Sequence, residues 1–273
     1  MKIGVIGQGF VGNAVYQKFK KFYDILTFDK NLILGNSNID DIKKNCKIIF
    51  VCVPTPMNSD GSCDTSIVES VIKDFSNIDD LIIINKSTVT PGTTATLNDK
   101  YKKLNIVFNP EFLTERNAVE DYNQQERIIL GGPRPATSKL KSVFSKVFPE
   151  SHIIKTGSTH AEMIKYFTNC FLASKVAFAN EMYQLCTKLD LDYDKIVEYV
   201  LHDSRIGKTH LNVPGHDGDF GYGGHCFPKD LSAILYLSDL LATNNLLLKS
   251  IVNSNDKVRI NRDWEKMKGR AVN

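Results

Sequence analysis

Short apolar runs alternate with longer amphipathic stretches through the first half of the chain. The runs are rich in Ile and Val, and several lack the in/out alternation of a half-exposed strand, so they are typical of strands buried on both faces. Because helix-length segments separate most of them, the pattern predicts an α/β fold with a doubly wound, mostly parallel sheet. The predicted strands are Lys2–Ile6, Ile25–Asp29, Lys47–Val53, Leu81–Asn85, Asn105–Phe108, Arg127–Leu130 and His152–Lys155.

The periodicity changes after Gly157. One helical pattern without Gly or Pro continues to about Leu191, with Ser158 or Thr159 as the expected N-cap and Glu162 in the first turn. Three further helical patterns cover Tyr193–Leu201, Pro228–Leu241 and Leu246–Lys268, and a Gly-rich loop over 203–226 separates the first of them from the other two. We therefore expect an α/β domain over residues 1–157 and an all-helical domain with one long helix over residues 158–273.

Composition and charge narrow the class of protein. The 273 residues carry a net charge of only +3, and dispersed lysines argue against a nucleic-acid surface. No apolar run is long enough to span a membrane, and Met1 leaves no room for a signal peptide before the first strand. The six cysteines show neither CxxC nor metal-finger spacing, so we expect no metal site, no disulfides and a reducing cytoplasm.

A glycine-rich turn lies between the first predicted strand and a helix predicted over Val11–Lys20. Gly7, Gly9 and Gly12 form the pattern G-x-G-x-x-G, which permits a tight turn, close approach of a pyrophosphate and close packing of helix on strand. Asp29 ends the second strand, where a carboxylate binds an adenosine ribose and repels a 2′-phosphate, although the adjacent Lys30 softens that repulsion. The pattern predicts a Rossmann-type domain that binds NAD rather than NADP.

Two further residues are candidates for an active site. Cys226 follows a Gly-rich segment and precedes Pro228, the expected first residue of a helix, with Lys229 nearby; this setting exposes and activates a thiol, so Cys226 is a candidate nucleophile. Glu111 follows the strand Asn105–Phe108, at the sheet edge where α/β proteins bind ligands.

Other polar residues share helix faces without indicating a role by themselves. Lys165 and Asn169 are four residues apart on the long helix, and Asp230 is four residues after Cys226. Either pair is more often a solvated face or a capping arrangement.

The chain closely resembles the UDP-glucose/GDP-mannose dehydrogenase family over nearly its full length. The resemblance is carried, in order, by the glycine turn, Val53-Pro54-Thr55-Pro56, Lys86-Ser87-Thr88-Val89, Asn109-Pro110-Glu111-Phe112-Leu113, Ala161-Glu162-Met163-Ile164-Lys165-Tyr166, Asp203-Ser204-Arg205-Ile206-Gly207 and the block Gly223-Gly224-His225-Cys226-Phe227-Pro228-Lys229-Asp230.

The resemblance implies a four-electron oxidation of a sugar C6 alcohol to an acid by two successive NAD molecules. By position, Cys226 would form a thiohemiacetal and then a thioester, while Lys165 would stabilise the oxyanion with Asn169 as its partner. Asp230 would handle protons, Glu111 would act as base in hydrolysis, and Thr88 would hold the water. Implied cofactor contacts are Gly7, Gly9, Phe10, Val11, Gly12, Asp29, Val53, Pro54, Thr55, Ser87, Thr88 and Glu111; implied substrate contacts are Phe112, Leu113, Lys165, Asn169, Arg205, Leu211, Asn212, Tyr222 and Gly223.

The chain departs from the family pattern in two places. The family continues into a second α/β domain that helps to bind the nucleotide, whereas this sequence stops at Asn273, as a short form or a fragment would, and a separate chain is one possible source of that domain. The loop 209–220 is longer and more polar than the family segment. We interpret its His210, His216, Asp217 and Asp219 as compensating substrate contacts rather than metal ligands.

Two other functions are compatible with these features. A two-electron dehydrogenase of the hydroxyacid or 6-phosphogluconate type also joins a Rossmann domain to a long helix, but needs no thiol. A non-catalytic NAD-binding protein is the other alternative. In the leading interpretation the chain is a homodimer, since the family pairs subunits through the long helix and Phe167, Phe171, Val176 and Phe178 offer an apolar stripe; these residues could instead pack on their own domain.

Overall fold

The computed structural model describes residues 1–273 and divides into two compact units. The first unit comprises residues 1–55 and 64–165, and the second comprises residues 56–63 and 166–273. The division falls within a single helix of 31 residues. No helix is long and apolar enough to cross a membrane.

The first unit is built on one seven-stranded sheet. Its strands are β1 (Lys2–Ile6), β2 (Asp24–Phe28), β3 (Ile48–Val51), β4 (Leu81–Asn85), β5 (Leu104–Phe108), β6 (Arg127–Gly131) and β7 (His152–Thr156). The spatial order is β2-β1-β3-β4-β5-β6-β7, and every neighbouring pair is parallel except β5 and β6. The predicted doubly wound, mostly parallel sheet is confirmed.

Helices cover both faces of this sheet. They are α1 (Phe10–Phe19), α2 (Ile39–Asn45), α3 (Ser66–Asp74), α4 (Thr93–Lys100), α5 (Ala118–Asn123) and α6 (Arg134–Val147), with a 3₁₀ turn at Glu115–Asn117. Alternate residues of a strand point to opposite faces, so Ile48 and Phe50 pack in one apolar cluster and Ile49 and Val51 in another. This two-sided burial explains the continuous apolar runs of the sequence.

The antiparallel junction between β5 and β6 is short. Only Phe108 and Gly131 are paired across it, whereas the other neighbouring strands share four or five residue pairs. Backbone pairing therefore contributes little between β5 and β6, whereas β6 and β7 pair over five residues.

The second unit is helical. The long helix α7 (Ser158–Lys188) runs from the first unit into the second, and is followed by α8 (Tyr193–Val200), α9 (Cys226–Leu240), α10 (Leu246–Val258) and a 3₁₀ turn at Asp263–Lys266. The predicted all-helical region with one long helix is confirmed. Residues 56–63 belong to this unit, where Met57 N–H donates to the Ala271 carbonyl at 2.8 Å.

Two predicted helix boundaries are wrong. Ser158, predicted as an N-cap, already lies in the first turn of α7, and Glu162 lies beyond that turn. Helix α10 ends at Val258 rather than near Lys268, because Arg259 adopts an extended backbone and its buried guanidinium donates to Asp217 Oδ2 at 2.6 Å. Tertiary contacts of one side chain therefore override the helical pattern that follows it.

Candidate active site

The glycine turn between β1 and α1 has the geometry of a dinucleotide cradle. Gly7 has a φ of +88°, and a Cβ there would lie 2.3 Å from the carbonyl oxygen of Cys52. A Cβ on Gly12 would lie 1.8 Å from the Gly7 carbonyl oxygen, whereas a Cβ on Gly9 would meet no atom within 4 Å. Packing thus requires two of the glycines, and the third leaves open space at the N-terminus of α1, which suits a pyrophosphate.

The Asp29 carboxylate is fixed beside this turn. Its Oδ2 accepts a hydrogen bond from Gln8 N–H at 2.6 Å, and its Oδ1 accepts one from Asn31 N–H at 2.8 Å. The carboxylate directly follows β2, next to β1 in the sheet. This position matches that of a ribose-binding acid in dinucleotide folds.

Other candidate cofactor residues meet at the carboxyl ends of neighbouring strands. Ser87, after β4, donates through Oγ to the Val53 carbonyl at 2.6 Å and accepts from Val53 N–H at 3.0 Å. Thr55 and Thr88, which follow closely after Val53 and Ser87 in the sequence, are buried, whereas Pro54 is exposed. Phe10 and Val11 are the first two residues of α1. A crossover between β1 and β3 places these ends at the sheet position where nucleotides bind in α/β folds.

Glu111 and Lys165 form a buried ion pair within the first unit. Lys165 Nζ lies 3.0 Å from Glu111 Oε1 and donates to the Glu111 carbonyl at 2.6 Å, while Glu111 Oε2 accepts from Leu113 N–H at 2.8 Å. Burial raises the pKa of Glu111, but Lys165, the Leu113 N–H and Lys86 together hold that pKa below its ordinary value. The carboxylate is therefore ionised at neutral pH, as a general base must be.

The Phe112 ring lies beside this pair. The Lys165 ammonium lies 5.4 Å from the centroid of the Phe112 ring, and the Arg127 guanidinium lies 4.8 Å from it. Leu113 is partly buried against the core. These contacts orient Phe112, a candidate substrate contact, through cation–π interactions.

Asp230 in α9 is fixed from two sides within the second unit. Asn169 Nδ2 donates to Asp230 Oδ2 at 2.6 Å, and Lys229 Nζ donates to Asp230 Oδ1 at 2.5 Å. Burial alone would lower the pKa of Lys229, but the Asp230 carboxylate and the Cys226 thiol raise it above the ordinary value. A permanent ammonium therefore accompanies Asp230.

Cys226 lies one turn earlier on the same helix. We predicted that the helix begins at Pro228, but it begins at Cys226, with His225 as the N-cap. Proline is tolerated in the first turn because the N–H that it lacks has no intrahelical partner there. The sulfur lies 3.4 Å from His225 Nε2, at a helix terminus that favours negative charge.

The glycine-rich turn before Cys226 is held by side chains of the second unit. Asn255 binds both backbone groups of Tyr222, accepting from its N–H at 2.7 Å and donating to its carbonyl at 3.1 Å. Asp263 accepts from Gly224 N–H at 3.0 Å. A Cβ on Gly223 would lie 2.2 Å from Arg259 Nη2, so that glycine is required by packing. The turn is thus a constrained segment rather than a flexible one.

The remaining candidate substrate residues of the second unit have separate surroundings. Arg205 is exposed and pairs with Asp203 at 2.5 Å, Asn212 is exposed, and the buried Leu211 accepts through its carbonyl from Tyr193 at 2.8 Å. In the polar loop, Asp217 and Asp219 bind Arg259, at 2.6 and 3.4 Å. These two carboxylates therefore have a structural partner, which their loop sequence did not indicate.

Sequence reasoning assigned no role to the buried Lys86 and assigned Glu162 only a place in the first turn of its own helix. Lys86 donates to Asn109, and Glu162 accepts from the N–H groups of Gly92 and Thr94 at 2.7 and 2.8 Å. A lysine directly after an apolar strand was the available signal for Lys86. No local pattern links Glu162 to the N-terminus of α4, about 70 residues earlier in the chain.

Two family models match the chain. The model of the NAD binding domain of the UDP-glucose/GDP-mannose dehydrogenase family matches residues 27–150, and the model of the family's central domain matches residues 159–257. The prediction that NAD is the cofactor is confirmed by the first match.

Known relatives and solved structures agree with these matches. The chain is 32% identical to the UDP-glucose 6-dehydrogenase of Campylobacter jejuni, with 94% of this chain and 72% of that protein covered. It is 32% identical to the UDP-glucose 6-dehydrogenase TuaD of Bacillus subtilis, with 85% and 51% covered. A UDP-glucose dehydrogenase structure from Pyrobaculum islandicum superposes with a TM-score of 0.84 at 26% identity, covering 94% of this chain and 68% of the other. This chain belongs to the UDP-glucose/GDP-mannose dehydrogenase family.

Proposed function

We propose that the protein is an NAD-dependent nucleotide-sugar 6-dehydrogenase that oxidises the C6 alcohol of a UDP-glucose-like substrate to the acid. The observation that carries this proposal is the arrangement on α9. Cys226 lies in its first turn, and Asp230 follows one turn later, bonded to Asn169 and Lys229. A two-electron dehydrogenase needs no thiol at such a position.

The cofactor is held, in this proposal, by the glycine turn, Asp29, Val53, Ser87 and the other cofactor candidates named above. When bound, NAD accepts a hydride in each of the two oxidations. The residues of this chain supply binding, orientation, the nucleophile and proton transfer.

The first role is nucleophilic. After the alcohol has become an aldehyde, the Cys226 thiolate adds to the aldehyde carbon as the carbonyl π bond opens, and the oxygen takes up a proton to give a thiohemiacetal. The Lys165 ammonium stabilises the negative charge that develops on the oxygen, assisted by Asn169. Transfer of the C6 hydride to a second NAD and loss of the hydroxyl proton would convert the thiohemiacetal into a thioester.

The second role is hydrolysis. Thr88 holds a water molecule, and the ionised Glu111 removes its proton as the water adds to the thioester carbonyl carbon. The carbon–sulfur bond then breaks, Asp230 assists in returning a proton, and the free acid leaves with Cys226 regenerated. The lowered pKa of Glu111 keeps its carboxylate ionised at neutral pH, the form in which it can accept a proton.

We also propose that residues 1–157 act as the NAD-binding domain and residues 158–273 as the central domain, working in a reducing cytoplasm where the six cysteines stay thiols. Support for a homodimer comes from an exposed apolar stripe on α7. Phe167, Phe171 and Phe178 are 68%, 59% and 60% exposed and share one helix face. Val176 was expected in the stripe but packs against the unit's own core.

The function is tested by counting NADH formed per sugar consumed, using the purified chain with NAD and a panel of UDP- and GDP-sugars. Two NADH per sugar is the expected result. One NADH per sugar would favour a hydroxyacid-type two-electron dehydrogenase, and none across the panel would favour a non-catalytic NAD-binding protein. A parallel series with a candidate partner chain tests whether further contacts are supplied in trans.

A further inference from the structure

Lys86 is a buried charged residue that the proposed reaction does not use. It follows β4 directly and is 3% exposed. Its ammonium donates to Asn109 Oδ1 at 2.9 Å and to the Asn109 carbonyl at 3.3 Å, and it lies 5.4 Å from the centroid of the Tyr122 ring. Burial of an ammonium is unfavourable unless hydrogen bonds and nearby negative charge compensate it, so the contacts of Lys86 with Asn109 are needed for its burial.

Asn109 also forms hydrogen bonds to the two neighbouring strands. Its Nδ2 donates to the Ile129 carbonyl at 2.8 Å, and its own N–H donates to the Asn85 carbonyl at 2.9 Å. These bonds link the ends of β4 and β5 to β6, where the backbone ladder between β5 and β6 has only one residue pair. Asn109, which Lys86 holds, therefore adds one side-chain hydrogen bond to β6 beside that single pair.

The segment fixed in this way carries Glu111. Only Pro110 separates it from Asn109, and proline both fixes its own φ and restricts the residue before it. A displacement of Asn109 would accordingly be transmitted to Glu111 and to its ion pair with Lys165 at 3.0 Å.

We infer that Lys86 is a positioning residue for Glu111, which it serves by fixing Asn109 and by placing a buried positive charge beside the Glu111 carboxylate. This inference rests on the role of Glu111 as the base of the proposed function. The charge and the hydrogen bonds act together, since each depends on the ammonium of the same side chain.

The groups that face Lys86 determine how its charge varies with pH. They are Cys52 after β3, Glu111 after β5, Tyr122 in α5 and Lys165 in α7. Burial lowers the pKa of Lys86 to about 8, against the opposing effects of Cys52 and Glu111. The ammonium is therefore present at neutral pH and is lost in mildly alkaline solution, where the support of Glu111 weakens.

The kinetic test compares Lys86→Met with the wild-type chain and with Lys103→Met, a matched control at an exposed lysine of the same unit. We expect Lys86→Met to lower kcat about 10- to 100-fold with KM for the sugar nearly unchanged. The wild-type fall of kcat above about pH 8 should disappear in this variant. Lys86→Arg should restore part of kcat and move the fall to higher pH, because a guanidinium stays charged. Unchanged kcat and an unchanged pH profile in Lys86→Met would overturn the inference.

Two further measurements keep the test decisive if Lys86→Met does not fold or the chain turns over no sugar. In protein labelled with ¹³C-lysine, one Cε resonance should titrate near pH 8 and should titrate at higher pH in Asn109→Asp, which adds a negative charge beside the ammonium. The Glu111 carboxyl, followed by ¹³C NMR, should titrate at higher pH in Lys86→Met than in wild type. A Glu111 carboxyl that titrates alike in Lys86→Met and in wild type would overturn the inference, whereas NMR results as expected without turnover would count against the proposed function alone.

Discussion

Gly9 and Gly12 belong to the same turn, but different atoms constrain them. A Cβ on Gly12 would overlap the Gly7 carbonyl, whereas a Cβ on Gly9 would project into open space. The two positions therefore separate the requirements of folding from those of cofactor binding.

We expect Gly9→Ala to fold normally and to bind NAD about tenfold more weakly or worse, because its methyl group would occupy the space that the pyrophosphate needs. Calorimetric titration with NAD, together with a thermal unfolding curve, measures both effects. Gly207→Ala is the matched control, since its Cβ would lie 3.9 Å from the nearest atom, Lys175 Nζ. Normal NAD affinity in Gly9→Ala would contradict the assigned cradle.

We propose that Asp29, another single residue beside this turn, determines the preference for NAD over NADP. Replacing it by Ser removes the charge that repels a 2′-phosphate while keeping an oxygen near Gln8 N–H. We expect Asp29→Ser to bind NADP about tenfold more tightly than wild type and NAD more weakly. Equal NADP affinities in the two proteins, measured by the same titration, would show that discrimination lies elsewhere.

At the scale of elements, a single side chain of α7 binds the start of another helix in the α/β unit. The Glu162 carboxylate accepts hydrogen bonds from the N–H groups of Gly92 and Thr94 at the start of α4, where Gly92 has a φ of +101°. Burial raises the pKa of Glu162, opposed by the bonds from Thr94 and Gly92. The carboxylate thus serves a helix N-terminus other than its own.

We expect Glu162→Ala to lower the free energy of unfolding by about 2–4 kcal/mol, because two buried N–H groups lose a charged acceptor. The exposed N-cap variant Asn38→Ala, which removes a 2.9 Å bond to Asp41 N–H, should lose only about 1 kcal/mol. Urea unfolding of the two variants provides the comparison, and a loss in Glu162→Ala no greater than in Asn38→Ala would argue against this capping role.

The sequence predicted elements where burial and periodicity are local properties, and it failed where distant side chains decide. All seven strands were located because continuous apolar runs reflect burial on both faces. The predicted end of α10 was wrong, because Arg259 lies outside the helix and binds Asp217, 42 residues earlier in the chain. Candidate residues such as Glu111 could be found from the motif, but its pairing with Lys165 and the support of Asn109 by Lys86 required the fold.

At the scale of the whole molecule, the stripe on α7 sets the expected assembly. Phe167, Phe171 and Phe178 expose large apolar areas that a monomeric protein seldom leaves in water. We expect Phe171→Glu to shift the chain from dimer to monomer in sedimentation velocity, because a buried carboxylate without a partner is unfavourable. Ile33→Glu, at a residue 91% exposed in the first unit, is the control and should leave the dimer intact. A Phe171→Glu protein that sediments like wild type would contradict an interface at this stripe.

The central claim is that Cys226 carries the sugar as a thioester that Glu111 helps to hydrolyse. Mass spectrometry of Glu111→Gln after mixing with NAD and UDP-glucose tests it most directly, since slowed hydrolysis should make the intermediate accumulate. The account predicts a sugar adduct on the peptide that contains Cys226, dependent on NAD and absent in the double variant with Cys226→Ser. Two NADH per sugar in the wild-type chain with no adduct on Cys226 in Glu111→Gln, or an adduct that persists after Cys226→Ser, would contradict it.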